Sequence, residues 1–291
     1  MRIVSLLPSA TEILFAIGAG DEVVGVTHEC DFPPQARSLP RLTSSALPAV
    51  RHAAAIDRHV RRRLHEGSSL YRLDAELLAR LRPDLIVTQE LCEVCAVSYG
   101  IVDRAVRRLR TDPRVVSLEP SSLDDVLATV LFLGTVTRHE DAAKRLTAKL
   151  RAKAANLSRH SRRPNAHAVR VLLLEWTDPP MSAGHWTPEL IELAGATPVL
   201  AHPRAGSQRL EWEAIAAADP DAIVVAPCGL DENAARAAVS DLEAVPQWLA
   251  LRAYREGAVH VMDGNAYVSR PGPRLIESAA VIARLIGTLP T

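Results

Sequence analysis

The chain has 291 residues, a formal net charge of zero, 48% hydrophobic residues and 23% charged residues. This length exceeds one ordinary domain and suits two, and the composition is typical of a soluble globular protein. The balanced charge creates no field that favours nucleic acid or an anionic membrane surface, so no nucleic-acid partner is expected. No run of about 20 apolar residues is present, so no membrane span is expected.

The chain begins with a strand followed directly by a helix. Apolar residues at Ile3–Leu6 predict the strand, and an amphipathic helix is predicted over residues 11–17. Ser9 or Thr11 is the expected N-cap of this helix, and the glycines that follow it are its expected stop. This order is the opening of a βαβ unit.

A second strand, Val23–Val26, follows and ends in the polar residues Thr27–Asp31. Ligands of open α/β sheets bind just beyond the carboxyl ends of the strands. The opening residues therefore predict an architecture and also a place to search for a binding site.

Short β-type runs alternate with helical runs along the rest of the chain. Further strands are predicted at Leu85–Thr88, Val115–Leu118, Val169–Leu174, Ala222–Val225 and Val259–Met262. Further helices are predicted at residues 51–65, 74–81 (capped by Asp74), 99–110, 123–136, 139–161, 188–194, 211–218, 233–239 and 275–286. Each strand is bounded by Pro, Gly or polar residues, and the alternation indicates an α/β fold of mostly parallel sheet.

The long helix over residues 139–161 divides the chain into two parts. Its length of about 33 Å is enough to cross from one domain to another. We therefore predict an N-terminal α/β lobe over residues 1–136, a connecting helix over 137–163 and a C-terminal α/β lobe over 164–291.

The N-terminus continues directly into the first strand. It has no separate basic region, long apolar core and small-residue cleavage site, so no signal peptide is recognised. The chain is expected either to be intracellular or to be exported with its signal removed.

Cys92 and Cys95 form the most unusual segment, a Cys-x-x-Cys pair after the predicted strand Leu85–Thr88. Two thiols at this spacing can chelate a soft metal or form a disulfide, and His28 and Cys30 follow another strand of the same lobe. These four residues are the predicted metal ligands. The alternative is that Cys92 and Cys95 begin a helix and pack as small apolar residues.

His28 is also a candidate axial ligand for a metal in a bound molecule, because neutral imidazole is a common metal donor. Its alternative role is to cap a turn. A structural zinc site needs four donors in tetrahedral reach, which one Cys-x-x-Cys pair does not supply.

Residues 175–186 follow the first strand of the C-terminal lobe and contain two Trp, two Pro and one Met. We expect this segment to be irregular, because such residues interrupt regular elements. Flat indole rings and a flexible thioether suit a large planar ring system, so Trp176, Met181 and Trp186 are predicted ligand contacts. The alternative is a hydrophobic plug beneath a loop.

Further candidate contacts precede helices of the C-terminal lobe. Arg209 is expected to pair with a carboxylate or amide of the ligand, and Trp212 to face it. Tyr267 and Arg270 are further candidate contacts. Arg274, at a helix start, is expected to pair with a carboxylate of the protein.

Several stretches in a characteristic order carry a resemblance to a known family. They are Arg2–Gly20, Gly25-Val26 with Asp31–Ala36, Arg82–Val87, Asp178–Gly184, Asp219–Val225 and Arg270–Arg274. The chain resembles the class III substrate-binding proteins of ABC importers, and the cobalamin-binding branch most closely. The resemblance implies two Rossmann-like α/β lobes joined by a single long helix and a ligand in the cleft between them. It also implies a monomer that docks on an ABC permease and has no catalytic cofactor. The implied cargo is cobalamin or another metal chelate.

The candidate cleft residues depart from the cobalamin-binding pattern. Glu29 and Gln89 stand where that branch has aromatic residues, and both are predicted ligand contacts. Met181 replaces an aromatic residue, whereas Trp212 and Tyr267 keep aromatic character. The ligand is therefore either different from cobalamin or held differently.

No motif of a hydrolase or phosphate-binding enzyme is present, since the chain lacks G-x-S-x-G, G-x-G-x-x-G and the P-loop. We expect a binding protein and not an enzyme. The alternatives are an intracellular protein that sequesters a metal or corrinoid, a binding protein for a ferric siderophore, haem or metal ion, and a thiol redox enzyme that uses Cys92 and Cys95.

Overall fold

The structure, a computed structural model, describes residues 1–46, 52–66, 69–89, 99–107, 109, 111–161 and 168–287. These residues form two compact units. The first comprises Met1–Val50, Arg58–Glu119 and Asp125–Ala148, and the second comprises Arg51–Asp57, Pro120–Asp124 and Lys149–Thr291. The predicted lobe boundaries at residues 136 and 163 stay a prediction.

The first unit is built on a four-stranded parallel sheet with the strand order β2-β1-β5-β6. Its strands are β1 (Ile3–Ser5), β2 (Val23–Val26), β5 (Leu85–Thr88) and β6 (Arg114–Ser117). A separate antiparallel pair consists of β3 (Thr43–Ser45) and β4 (Tyr71–Leu73), which the sequence analysis missed.

The helices up to residue 161 follow the predicted order. They are α1 (Pro8–Ala16), α2 (Ala53–His65), α3 (Ala75–Leu81), α4 (Tyr99–Val106), α5 (Leu123–Thr137) and α6 (Glu140–Ser161), with 3-10 turns at Gly20–Glu22 and Pro34–Ser38. The residues of α6 up to Ala148 belong to the first unit, and those from Lys149 belong to the second. Among the described residues, no helix has the length and apolar character needed to cross a membrane.

The sheet of the first unit is buried on both faces. Successive residues of a strand point to opposite faces, and Ile3 and Val4 accordingly lie in two different apolar clusters. The Ile3 cluster includes Ile13 and Leu14 of α1, and the Val4 cluster includes Leu78 of α3. Helices on both faces are the arrangement that an all-parallel sheet requires, and the predicted α/β class is confirmed.

The second unit has a mixed sheet with the order β10-β8-β7-β11-β12, and β9 pairs with β7. Its strands are β7 (Arg170–Thr177), β8 (Pro180–Ser182), β9 (Thr197–Pro198), β10 (Gln208–Arg209), β11 (Ala222–Val225) and β12 (Val259–Val261). β7, β11 and β12 run parallel, whereas β8 is antiparallel to both of its neighbours.

Among the described residues, seven helices of the second unit follow β8. They are α7 (Thr187–Leu193), α8 (Trp212–Ala218), α9 (Glu232–Leu242), α10 (Pro246–Ala250), α11 (Arg252–Arg255), α12 (Gly264–Tyr267) and α13 (Leu275–Gly287). Four of them, α7, α8, α9 and α13, were predicted from the sequence. The short helices α10, α11 and α12 were not, because their periodic signal spans little more than one turn.

The predicted cap of α1 is wrong. The N-cap is Leu7, and Pro8 occupies the first helical turn, so Ser9 and Thr11 lie inside the helix and are buried. Proline favours the first turn because its missing N–H is one that the helix leaves unpaired. Thr11 instead donates from Oγ1 to Ser5 Oγ at 2.8 Å. The predicted cap of α3 is confirmed, since the Asp74 carboxylate accepts a hydrogen bond from the Leu77 N–H at 2.8 Å.

Residues 175–186 are more regular than expected. β7 continues to Thr177, and a tight turn with a cis bond between Asp178 and Pro179 leads into β8. Proline is compatible with the first residue of a strand, where Pro180 stands. Its carbonyl still accepts a hydrogen bond, from the Leu210 N–H at 2.8 Å. The expectation of an irregular segment was therefore wrong for residues 175–182.

Candidate ligand-binding site

Polar residues follow adjacent strands of the first unit. β1 pairs in parallel with both β2 and β5, so the carboxyl ends of these strands lie at one edge of the sheet. Thr27, His28 and Glu29 follow β2, and Gln89 follows β5. Gln89 is only 4% exposed, whereas His28 and Glu29 are half-buried.

His28 is held by the antiparallel pair of the first unit. Thr43 Oγ1, on β3, accepts a hydrogen bond from the His28 backbone N–H at 3.0 Å and lies 2.7 Å from Nδ1 of the imidazole. Thr43 Oγ1 also donates to Thr27 Oγ1 at 2.8 Å. The backbone and the ring of His28 are thus fixed by one hydroxyl group.

Arg41 supports the same loop through its backbone carbonyl groups. Its Nη1 donates to the carbonyl oxygens of Thr27 at 3.0 Å and His28 at 2.7 Å. Burial of the ring, together with the positive charge of Arg41, lowers the pKa of His28 from its ordinary value of 6.5. The imidazole is therefore neutral at pH 7 and is able to donate a lone pair.

Tyr71 is a site residue that the sequence analysis missed. Its ring lies 5.7 Å from the imidazole of His28, and its hydroxyl donates to Glu29 Oε1 at 3.3 Å. Tyr71 is 42 residues from Glu29 in the chain. The only signal for Tyr71 in the sequence is the short alternating pattern of β4, and this pattern does not show that Tyr71 contacts Glu29. We call His28, Glu29 and Tyr71 the polar cluster of the first unit.

The predicted thiol ligands do not join the polar cluster within the described residues. Cys30 is fully buried in the core beneath α1, and its Sγ lies 3.1 Å from Thr11 Oγ1. Cys92 and Cys95 lie outside the described residues. Among the residues that are described, no group of three or more His, Cys, Asp or Glu side chains is arranged to hold a metal ion.

Three predicted contacts of the second unit come together across three strands. Trp176 of β7 lies directly opposite Met181 of β8, and Met181 lies directly opposite Arg209 of β10. Directly opposite residues of an antiparallel pair project from the same face of a sheet. Trp176 and Met181 are half-buried and Arg209 is exposed. We call these three residues the Trp-Met-Arg row.

A β-bulge places the indole in this row. Leu174 pairs with Ser182 and Trp176 pairs with Met181, so Glu175 is an extra residue in β7. The Glu175 carbonyl accepts a hydrogen bond from the Cys228 N–H at 3.0 Å, in the loop that follows β11. The indole N–H of Trp176 donates to the Asp178 carbonyl at 3.1 Å, which fixes the ring across the turn.

Trp186, also a predicted ligand contact, supports a loop of the second unit. It is 7% exposed, and its Nε1 donates to the Val268 carbonyl at 2.9 Å. The adjacent His185, which the sequence analysis missed, stacks on it at 5.6 Å between ring centroids. Burial lowers the pKa of His185, so this ring is neutral at pH 7. Trp186 therefore anchors the loop that precedes α7.

The other aromatic candidates contact protein groups. Trp212 is half-buried and makes a T-shaped contact with the fully buried Trp248, at 6.0 Å between ring centroids. The guanidinium of Arg274, for which a carboxylate partner is predicted, also lies over the Tyr267 ring at 5.9 Å in a cation–π contact. Arg270 is 5% exposed and donates to Asn265 Oδ1 at 3.0 Å. Arg270, which is also a predicted ligand contact, thus has at least one protein partner.

Comparisons with known proteins give a consistent picture. The chain is 24% identical over 295 residues to the vitamin B12-binding protein of Pectobacterium atrosepticum, covering 99% of this chain and 89% of that protein. It is similar in structure to the vitamin B12-binding protein of Vibrio cholerae, with a TM-score of 0.68, 20% identity and coverage of 98% and 96%. A haem-binding protein of Roseiflexus gives a TM-score of 0.72, 23% identity and coverage of 98% and 97%. At these identities the solved structures establish the fold alone.

The match to a family model extends over nearly the whole chain. The model described as "Periplasmic binding protein" matches residues 3–266. This match confirms the resemblance and the expectation that the chain is a binding protein and not an enzyme. The chain belongs to the periplasmic binding protein family.

Proposed function

We propose that this chain is the substrate-binding protein of an ABC importer and that its cargo is a corrinoid of the cobalamin type. The observation that carries the proposal is the Trp-Met-Arg row of the second unit. Vitamin B12-binding proteins are relatives over almost the whole chain, which supports the same conclusion.

The chemistry of the row matches the two parts of a corrinoid. A corrin ring is broad, flat and largely apolar, and it packs well against the indole of Trp176 and the thioether of Met181. Amide side chains surround the ring, and the exposed guanidinium of Arg209 is a suitable donor to their carbonyl oxygens. One face thus offers apolar area and a polar contact to the same molecule.

The polar cluster of the first unit supplies a second kind of contact. Glu29 accepts hydrogen bonds and is therefore suited to amide N–H groups, and His28 offers a neutral imidazole to the cobalt. We propose Glu29, His28 and Gln89 as ligand contacts of the first unit. Trp186, Trp212, Tyr267 and Arg270 remain proposed contacts from the sequence, although each also has a protein partner in the structure.

The proposed partner is an ABC permease, which the substrate-binding protein reaches through surface carboxylates. A monomer is the proposed state. One uncharacterized ABC transporter substrate-binding lipoprotein, from Bacillus subtilis, is 24% identical over 292 residues and supports this assignment.

Haem or another iron chelate is the second candidate cargo. The observation that favours it is the proximity of Tyr71 and His28, whose ring centroids are 5.7 Å apart. Phenolate and imidazole are both axial ligands of haem iron in proteins. A free metal ion is not proposed as the cargo, because it needs more protein donors than the polar cluster provides. The predicted thiol donors Cys92 and Cys95 lie outside the described residues.

Titration of the purified, metal-stripped protein with cyanocobalamin, aquocobalamin and haemin tests the proposal. Calorimetry should give a dissociation constant of micromolar or tighter for a corrinoid, about −8 kcal/mol or below. Haemin should bind at least tenfold more weakly. If haemin binds and neither corrinoid does, haem replaces the corrinoid as the proposed cargo. If none of the three molecules binds, both assignments are overturned.

A further inference from the structure

The hydroxyl group of Thr43 lies within hydrogen-bond distance of three groups, which are Thr27 Oγ1, the His28 backbone N–H and His28 Nδ1. Thr43 Oγ1 donates this proton to Thr27 Oγ1 at 2.8 Å. A threonine hydroxyl has one proton and two lone pairs, so Thr43 has no second proton to give to the imidazole. The 2.7 Å contact between Thr43 Oγ1 and His28 Nδ1 then requires the ring nitrogen to be the donor.

The remaining contacts of Thr43 agree with this direction. Its Oγ1 accepts one hydrogen bond from the His28 backbone N–H at 3.0 Å and a second from the ring Nδ1–H. Both lone pairs and the single proton are then used. Arg41 fixes the carbonyl of His28 at 2.7 Å, so the loop that aligns these atoms is held independently of the threonine.

A neutral imidazole that carries its proton on Nδ1 has its lone pair on Nε2. Nε2 of His28 makes no hydrogen bond to any residue that the structure describes. One imidazole donor suits a metal whose other positions a chelator already fills, because a free ion needs several protein donors.

We propose that Thr43 is a positioning residue that selects the Nδ1–H tautomer of His28, so that Nε2 binds the metal of a chelate with an exchangeable axial ligand. This inference rests on the proposed function and deepens it, because it distinguishes between corrinoids. In aquocobalamin the Nε2 lone pair forms the bond to cobalt(III), and the bound water leaves as a neutral molecule with its own electron pair. No electron or proton is transferred. In cyanocobalamin the tightly held cyanide keeps that position closed.

The tautomer itself is tested first on the native protein without ligand. Nitrogen-15 NMR of the His28 ring distinguishes a protonated from an unprotonated nitrogen. We expect a proton on Nδ1 and a lone pair on Nε2 at pH 7.5. A proton on Nε2 would overturn the proposal whether or not any corrinoid binds. If no corrinoid binds, the proposed function fails independently of this result.

The binding consequence is tested with Thr43→Val and its matched control Thr43→Ser. Valine has the shape of threonine but no hydroxyl, whereas serine keeps the hydroxyl. The ratio of aquocobalamin to cyanocobalamin affinity should fall about tenfold or more in Thr43→Val, as is typical when a metal ligand loses its supporting partner. The visible spectral shift with aquocobalamin should weaken with it. Thr43→Ser should keep both within about threefold of wild type.

Two results would overturn the proposal at this stage. One is an unchanged affinity ratio in Thr43→Val, and the other is the same loss in Thr43→Ser. If Thr43→Val does not fold, His28→Gln in the native background replaces it. Glutamine should abolish the spectral shift with aquocobalamin, and a shift that persists would contradict ligation by Nε2.

Discussion

The two units hold their candidate binding residues by different means. The polar cluster of the first unit is a set of side chains linked by hydrogen bonds, in which Thr43 and Arg41 fix His28 and Tyr71 contacts Glu29. The Trp-Met-Arg row of the second unit has no such links between its members and depends on strand register. The polar cluster is therefore suited to directional contacts with a ligand, and the Trp-Met-Arg row is suited to contacts over a large apolar area.

This difference predicts which property of ligand binding each surface controls. Hydrogen bonds contribute modest net free energy because water competes for the same groups, whereas apolar area contributes in proportion to its size. The second unit should therefore dominate the affinity for a corrinoid, and the first should dominate the choice between corrinoids.

The largest expected effect is the loss of affinity in Trp176→Ala. Removing the indole should weaken cyanocobalamin binding by about 2 kcal/mol or more, roughly thirtyfold. Glu29→Gln should cost less than about tenfold, because the amide oxygen still accepts the Tyr71 hydroxyl. Calorimetric titration gives both numbers. Phe132→Ala, which removes an exposed ring of the first unit, is the control and should have no effect. A larger loss in Glu29→Gln than in Trp176→Ala would reverse the comparison.

The next effect is a loss of stability when a side chain is added at Gly184, two residues before Trp186. A Cβ at Gly184 would lie 2.3 Å from the Ala205 carbonyl oxygen, whereas a Cβ at Gly206 would have no atom within 4 Å. Gly184→Ala should therefore lower the free energy of unfolding by about 1–3 kcal/mol, since backbone must move to admit the methyl group. Gly206→Ala is the matched control and should be neutral or slightly stabilising. Urea denaturation measures both, and equal stability of the two variants would show that the loop at residue 205 adapts freely.

A smaller effect on stability, equal in the two units, is expected for the helix caps that both units contain. Asp74 caps α3 of the first unit through the Leu77 N–H at 2.8 Å, and Asp231 caps α9 of the second through the Ala234 N–H at 2.8 Å. Asp→Ala at each position should lower the free energy of unfolding by about 1 kcal/mol, and Asp→Asn should retain most of the cap. A loss in only one unit would show that the units differ in helix stability and not only in their binding surfaces.

The smallest effect is the pH dependence of stability that arises from one half-buried histidine, His260. Burial lowers the pKa of His260 below its ordinary value of 6.5, so the unfolded chain binds more protons than the folded one between these two values. Its pH-linked contribution to stability is therefore zero above pH 6.5 and becomes destabilising as the pH falls toward the lower folded pKa, with a slope of at most about 1.4 kcal/mol per pH unit.

Denaturation of His260→Gln at pH 7.5, 6.5 and 5.5 measures this contribution. The variant should lose less stability on acidification than the wild type does. His202→Gln, at an exposed position, is the control and should follow the wild type. Identical pH profiles for His260→Gln and wild type would contradict the assignment.

The sequence alone determined the α/β class and the order of the main elements. The strands Val23–Val26, Leu85–Thr88 and Ala222–Val225 have the predicted bounds, and Asp74 caps α3 as expected. These features are local, since a run of apolar residues between Pro and Gly, or an Asp before a helical period, acts within a few residues. The polar residues after β2 and β5 were found for the same reason.

Only the tertiary structure decided which candidates meet. The bulge at Glu175 and the pairing of Met181 with Arg209 depend on strand register, which residues distant in the chain set together. Tyr71 reaches Glu29 across 42 positions, and Cys30, a predicted metal ligand, is buried beneath α1 because β2 packs beneath that helix. Sequence patterns report the periodicity of single elements, and contacts between elements follow from packing and register, which no single element contains.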